Sequence, residues 1–168
     1  MNTKSLMIGC GAALLSASVW AGSGHEGHGE LTEDAHAHAT PDAHVSVAGK
    51  PGRPDQVTRT IHVEALDTMR FKHEPIQVKA GETIRFHVMN QGQVLHEFAL
   101  GSTAEHTKHR QQMREMPDMK HEDPNVVMLE PGESKALVWT FAKATEIQAA
   151  CNVPGHYEAG MYSEIEVK

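Results

Sequence analysis

A short segment near the C-terminal end of the sequence carries three side chains that can bind a metal ion. A thiol, an imidazole and a thioether follow one another as Cys151, His156 and Met161, with four residues between each successive pair. Pro154 and Gly155 predict a turn that lets the imidazole face the same point as the thiol. Thiolate and thioether sulfur are ligands that favour copper, and imidazole also suits it. The segment therefore predicts a copper-binding loop.

A second imidazole would complete a known type of copper site. Two histidines and a cysteine in a trigonal arrangement, with a weak axial methionine, form the ligand set of type 1, or blue, copper. His96 is the best candidate for the missing ligand, because it follows a turn at Gly92 and begins an apolar stretch. The alternatives are a hydrogen-bonded structural role for His96 and a small buried hydrophobic role for Cys151.

The sequence around these candidate ligands alternates between apolar and polar residues. Alternation of this kind predicts half-buried strands. It is clearest in three stretches: Ile61, Val63 and Ala65; Ile84, Phe86 and Val88; and Leu137, Trp139 and Phe141. Turn signals rich in Gly, Pro and Asn separate the stretches, which is typical of an antiparallel sandwich or barrel. Further strands at 147–150 and 163–167 are expected to hold the loop at both ends.

Composition limits the classes of function that remain open. A chain of 168 residues allows one ordinary domain with extensions. The chain contains 13 histidines and 9 methionines, a high content of residues that can bind copper for a chain of this length. The formal net charge is -7, and Lys and Arg do not cluster, so a nucleic-acid partner is not expected.

The N-terminal residues predict a signal peptide. Lys4 precedes the apolar run 6–19, and Val19-Trp20-Ala21 is a small-residue cleavage pattern. The run is too short to span a membrane comfortably, so we expect cleavage of residues 1–21 and a periplasmic location. Lipid attachment at Cys10 is the alternative. After cleavage Cys151 is the single cysteine, so no internal disulfide can form.

Residues 22–54 predict a disordered, His-rich arm ahead of a domain at 55–168. They contain few large apolar side chains, too few to offset the entropy of ordering the backbone. Four of their histidines are candidate ligands for Cu(II) or Zn(II): His25, His28, His36 and His38. A solvated linker is the alternative, and the two interpretations are compatible.

A polar insertion at 102–125 interrupts the strand pattern. A helical turn is predicted at 111–115, and Pro117 and Pro124 disfavour its continuation. The insertion offers six candidate ligands for additional copper: Met113, Met116, Met119, His106, His109 and His121. The methionines recur at every third residue, which on a helix would form one stripe, and such stripes are more often packing than ligation.

These motifs together resemble a known family. Asn90-Gln91-Gly92, His96-Glu97-Phe98 and the loop from Cys151 to Met161 resemble the plastocyanin/azurin family of cupredoxins over about 57–168. The arm and the insertion resemble, more narrowly, the periplasmic copper-tolerance cupredoxins of the CopI type. The resemblance implies a Greek-key β-sandwich, all-β in class, that binds one type 1 copper ion. Glu97 departs from the pattern, because many relatives carry Asn or Ser there.

Two functions are compatible with these motifs. The first is copper resistance, in which a monomeric periplasmic protein binds and oxidises Cu(I), with copper ions and a redox partner or copper exporter as its partners. The second is one-electron transfer between redox partners. Autonomous catalysis has less support, since the repeated His-x-His pairs of a trinuclear copper cluster are missing and one cysteine cannot bridge a binuclear centre.

Overall fold

The computed structural model describes residues 46–116, 123–143 and 146–168. The predicted signal peptide, most of the arm, Met119 and His121 therefore lie outside the described residues, as do four predicted ligands of the arm: His25, His28, His36 and His38. Within the described ranges, no helix is both long enough and apolar enough to cross a membrane.

The described residues form ten strands, one 3₁₀ turn at Pro54–Gln56 and one α-helix. In chain order the elements are β1 (Gly49–Pro51), β2 (Arg59–Leu66), β3 (Arg70–Lys72), β4 (Gln77–Val78), β5 (Thr83–Asn90), β6 (His96–Ser102), α1 (Thr103–Glu115), β7 (Val126–Leu129), β8 (Ser134–Phe141), β9 (Ile147–Ala150) and β10 (Tyr162–Val167).

The strands form two five-stranded sheets, which confirms the predicted β-sandwich. The order in the first sheet is β1-β8-β5-β2-β3, and in the second it is β4-β10-β9-β6-β7. Most neighbours are antiparallel, as expected, but β2 pairs with β5 and β4 with β10 in parallel. The β2–β5 pair is parallel because the chain contributes β4 to the opposite sheet before it returns, a crossover of the kind that Greek-key folds use.

The core between the sheets consists of the side chains that the alternating pattern predicted to be buried. Phe86 on β5 and Trp139 on β8 are both fully buried. Phe98 on β6 contacts Phe86 with ring centroids 5.2 Å apart and Phe71 on β3 at 5.4 Å in an edge-to-face arrangement. These contacts join the two sheets next to the start of β6, where the candidate ligand His96 lies.

The predicted end of the arm at residue 54 is wrong. The strand β1 pairs with β8, and Ala48, which precedes it, is fully buried. The indole nitrogen of Trp139 donates a hydrogen bond to the carbonyl oxygen of Ala48 at 3.1 Å. A buried indole N–H requires such an acceptor. Composition could not reveal this role, because an edge strand that offers a backbone carbonyl needs no large apolar side chain.

The predicted helical turn at 111–115 is only the end of a longer helix. The helix α1 begins after Ser102, whose hydroxyl accepts a hydrogen bond from the backbone nitrogen of Glu105 at 3.3 Å. The Glu105 carboxylate accepts in return from the Ser102 backbone nitrogen at 2.7 Å. This capping box is visible in the sequence as Ser-x-x-Glu. The helix ends at Glu115, in agreement with the effect expected of Pro117.

A pair of N-terminal truncations tests the role of β1. A mature chain shortened to begin at Val57 should lose about 2–4 kcal/mol of unfolding free energy, because the strand pairing is lost and the indole of Trp139 has no acceptor. A chain that begins at Ser46 is the control and should keep its stability. Urea denaturation measures both, and equal midpoints would show that β1 contributes nothing.

Candidate metal centre

Three candidate ligands converge at one end of the sandwich. One ligand atom each from His96, Cys151 and His156 lies within 4.8 Å of the other two. The sulfur of Cys151 is 3.3 Å from Nδ1 of His156. The ring centroids of His96 and His156 are 5.1 Å apart, with the rings inclined by 58°. The structure therefore brings together the thiol and both imidazoles that the sequence analysis selected.

Backbone hydrogen bonds fold the loop between β9 and β10 so that its ends meet. The backbone nitrogen of Cys151 donates to the carbonyl of Met161 at 3.0 Å, and Met161 donates to the carbonyl of His156 at 3.0 Å. Gly155 has φ +88°, a conformation that glycine adopts without strain, and the turn predicted at Pro154 and Gly155 thus forms. Met161 is fully buried at the end of the loop.

The orientation of His96 fits metal binding. Its Nε2 donates a hydrogen bond to Oδ1 of Asp67 at 3.1 Å, and this bond fixes the ring. Its Nδ1 is buried and has no hydrogen-bond partner among the described residues. Buried polar nitrogens are rarely left unbonded in proteins. A metal ion held by His96, Cys151 and His156 would satisfy this nitrogen, and metal-bound histidines usually donate their other nitrogen to a carboxylate as here.

Asp67 is itself held in the ionised form. The backbone nitrogen of Gln93 donates to its Oδ2 at 2.7 Å. This hydrogen bond, together with the contact from His96, lowers the pKa of Asp67. An ionised carboxylate is a strong acceptor for the imidazole N–H. No local sequence signal identifies Asp67, which lies 29 residues before His96.

Burial controls the protonation of the candidate ligands Cys151 and His156. The sulfur of Cys151 is fully buried, and burial raises its pKa to about 12. The thiol is therefore neutral at physiological pH until a cation displaces its proton. Burial and the neighbouring His96 lower the pKa of His156. His156 is consequently a neutral imidazole, the form that binds metals.

Glu97 occupies a central position behind the thiol. Its backbone nitrogen donates to the sulfur of Cys151 at 3.3 Å. Its carboxylate, fully buried, accepts from the backbone nitrogen of Asn152 at 3.3 Å, from the Asn152 side chain at 2.6 Å, and from Nε2 of His109 at 3.1 Å. Burial opposes protonation of His109, but the hydrogen bond and charge of Glu97 and the charge of Asp123 raise its pKa overall. The hydrogen bond to Glu97 therefore favours the charged form of His109 on α1.

A second contact joins α1 to the ligand loop. The guanidinium carbon of Arg110 lies 3.7 Å from the ring centroid of Tyr157, and Nε of Arg110 is 3.6 Å from the carboxylate of Glu158. Both contacted residues lie in the loop between His156 and Met161. A cation over an aromatic face is attracted to it, more strongly where water is excluded. No sequence pattern identified this contact.

The two described histidines of the insertion, His106 and His109, do not belong to this cluster. His106 is buried, with Nε2 donating to the Gln148 carbonyl at 3.2 Å and Nδ1 accepting from Asn152 at 3.3 Å, and burial lowers its pKa. Both bonds would have to break before His106 could bind a metal. Met113 is buried and Met116 is 38% exposed. Among the described residues, the ligand atoms of His, Cys, Asp and Glu form no second group of three, and additional copper in the insertion remains a prediction.

Comparison with known families identifies the class of protein. Residues 57–168 match the family described as copper binding proteins, plastocyanin/azurin family. The chain belongs to this family. The match covers the strands β2 to β10 and all four candidate ligands, so the resemblance noted in the sequence is confirmed.

The curated relatives narrow the class further. The chain is 45% identical over 159 residues to the copper-resistant cuproprotein CopI of Rubrivivax gelatinosus, covering 95% of this chain and 93% of that protein. It is 42% identical over 163 residues to the protein of the same name from Pseudomonas aeruginosa, covering 80% and 89% of the two chains. The chain is thus a homologue of these copper-resistance proteins.

Solved structures agree on the fold. Auracyanin B matches with a TM-score of 0.59 at 22% identity, over 72% of this chain and 96% of auracyanin. An azurin from Methylomonas sp. strain J matches with a TM-score of 0.52 at 18% identity, over 67% and 99%. At these identities the likeness shows the cupredoxin fold alone.

Substitution of the four candidate ligands should rank them by bond strength. Cys151→Ser should abolish the intense visible absorption of the Cu(II) protein, because oxygen cannot replace the thiolate. His96→Ala and His156→Ala should each destroy the native spectrum. Met161→Leu should keep the colour and change the reduction potential, since an axial thioether bond is long and weak. Visible spectra and copper content test this ranking, and loss of copper in all four variants alike would contradict it.

Substitution of two neighbouring arginines tests the contact between α1 and the loop. Arg110→Ala should shift the visible absorption band and the reduction potential, because the side chain is only 12% exposed and rests on Tyr157. Arg114→Ala is a matched control, since Arg114 contacts the same Glu158 at 3.8 Å but is 55% exposed. Equal spectra for both variants and the parent protein would show that α1 does not influence the site.

Proposed function

We propose that this protein is a periplasmic type 1 copper protein that acts in copper resistance by binding and oxidising Cu(I). The observation that carries the proposal is the convergence of His96, Cys151 and His156, with the buried Nδ1 of His96 lacking a partner among the described residues. The names of the curated relatives support the copper-resistance role. Met161, buried at the end of the same loop, would be the fourth ligand of the copper ion.

The surroundings of the ligands suit a site that changes oxidation state with little rearrangement. A bound copper ion would supply one-electron exchange between Cu(I) and Cu(II). Asp67 fixes the ring of His96, and the backbone nitrogen of Glu97 fixes the sulfur of Cys151. The loop of His156 is braced by its own backbone hydrogen bonds and by α1. Ligands held in this way keep their positions when the charge of the ion changes.

The oxidation of Cu(I) requires a path for its electron. In this proposal a Cu(I) ion in the periplasm is the substrate and Cu(II) is the product. A copper ion held by His96, Cys151, His156 and Met161 would supply the one-electron exchange, and a redox partner would accept the electron. The protein acts as a monomer that holds one type 1 copper ion, and the predicted signal peptide delivers it to the periplasm. Methionines 113, 116 and 119 would hold additional Cu(I), which thioethers favour.

One-electron transfer between redox partners is the second candidate. The same rigid ligand set supports it, because little rearrangement also favours rapid electron exchange with a protein partner. The two functions differ in their need for the insertion. An electron carrier needs only the type 1 site, whereas copper resistance also needs the methionines of the insertion.

Deletion of the gene separates these two functions. The deletion should make cells sensitive to copper while growth without added copper stays nearly normal. Cys151→Ser and a triple variant with Met113, Met116 and Met119 changed to Leu should each fail to restore tolerance. Met128→Leu, a change in β7 outside the insertion, is the control and should restore it. A respiratory defect with unchanged copper tolerance would contradict copper resistance and support electron transfer.

A further inference from the structure

Two histidines on the outer face of the first sheet form a pair that shares no residue with the site above. His62 on β2 and His87 on β5 are direct partners in the parallel pairing of these strands. Both alternate with residues buried in the core, so they point away from it. Their ring centroids are 5.3 Å apart and the rings are inclined by 59°. The register of the sheet thus places two imidazoles side by side at the surface.

The geometry of this pair is close to that of the imidazoles at the candidate copper site. His96 and His156 have centroids 5.1 Å apart and an inclination of 58°. A metal–nitrogen bond of about 2.0 Å places each ring centroid about 3.2 Å from an ion. Two imidazoles in neighbouring positions around one ion then have centroids about 4.5 Å apart in the tetragonal geometry that Cu(II) prefers, and about 5.2 Å apart in tetrahedral geometry. The centroid separation of His62 and His87 is within about 1 Å of both values, a difference that rotation of side chains at the surface covers.

Both rings are available for such an ion. His62 is exposed and His87 is partly exposed, and neither makes a hydrogen bond or ion pair with any described residue. His73 offers a contrast, because its two ring nitrogens contact the carbonyl of Glu74 and the hydroxyl of Ser163, each at 2.7 Å. The strands β2 and β5 lie inside the sheet with seven paired residues, so the backbone below the pair is rigid.

We propose that His62 and His87 form a second metal site, which binds one divalent transition-metal ion and prefers Cu(II). Imidazole suits Cu(II), Zn(II) and Ni(II), and Cu(II) binds most tightly to a given nitrogen site in the order of divalent metals. Water fills the remaining positions of the ion, since the pair is open to solvent. The site contains no thiolate, so it does not give the intense visible band of the type 1 site. The proposal of this second site goes beyond the proposed function and does not depend on it.

Cu(II) binding to the full mature protein tests this site. Equilibrium dialysis with Cu(II) should show one ion fewer for the double variant His62→Ala/His87→Ala than for the parent protein. Each single variant should bind that ion at least about tenfold more weakly, because a lone imidazole cannot chelate. Electron paramagnetic resonance should show the loss of one Cu(II) signal without thiolate character. Other histidines of the chain contribute equally to all variants and cancel in the comparison.

Controls distinguish this site from the type 1 site and from general effects. His73→Ala removes a histidine outside the pair and should leave the Cu(II) count unchanged. The intense visible band should be the same in the parent and double variants, which verifies folding and the independence of the two sites. An equal Cu(II) count in parent and double variant would overturn the proposal, whatever visible spectrum the Cys151→Ser variant shows. A loss caused equally by His73→Ala would overturn it as well.

Discussion

The end of this sandwich must bury a thiol and an imidazole, and burial of polar groups is unfavourable unless each finds a partner. The backbone nitrogen of Glu97 supports the sulfur of Cys151, and Asp67 holds one nitrogen of His96. The ligand atoms of His96, Cys151 and His156 lie within 4.8 Å of one another, and Nδ1 of His96 has no partner among the described residues. Burial also keeps Cys151 protonated until a cation arrives. The position of β6, the turn after β2 and the loop before β10 all contribute to this arrangement, which a bound metal ion would complete.

Glu97 is a further buried polar group that needs a partner, and its partner lies in the insertion. A carboxyl group buried without a hydrogen-bond partner would be destabilising, and Nε2 of His109 on α1 donates a hydrogen bond to Glu97. The next residue, Arg110, contacts the ligand loop at Tyr157. Two consecutive residues of the helix therefore contact two different elements next to the candidate metal centre, β6 and the loop between β9 and β10. The insertion is thus part of the packing of the metal centre, and its methionines begin only one helical turn after these contacts.

The predictability of each feature depends on how local its cause is. The strands β5 and β8 follow from alternation within eight residues, and the turn at Gly155 follows from its own sequence. The grouping of His96 with the loop followed from a ligand pattern and a family resemblance. The start of α1 was predictable from Ser-x-x-Glu. The roles of Ala48 and Asp67 were not, because they arise from backbone and side-chain contacts across strands whose pairing the sequence does not display.

The comparison of the two histidine pairs shows what the fold adds to ligand geometry. Both pairs have nearly the same spacing and inclination. His96 lies fully buried beside a thiol, with one nitrogen fixed by a carboxylate. His62 lies at the surface, where water can enter and leave the coordination sphere. An ion enclosed by the protein can exchange electrons but exchanges its ligands slowly. An ion open to solvent exchanges its ligands quickly. The burial of the imidazoles, more than their spacing, therefore determines whether a site of this kind suits electron transfer or reversible metal uptake.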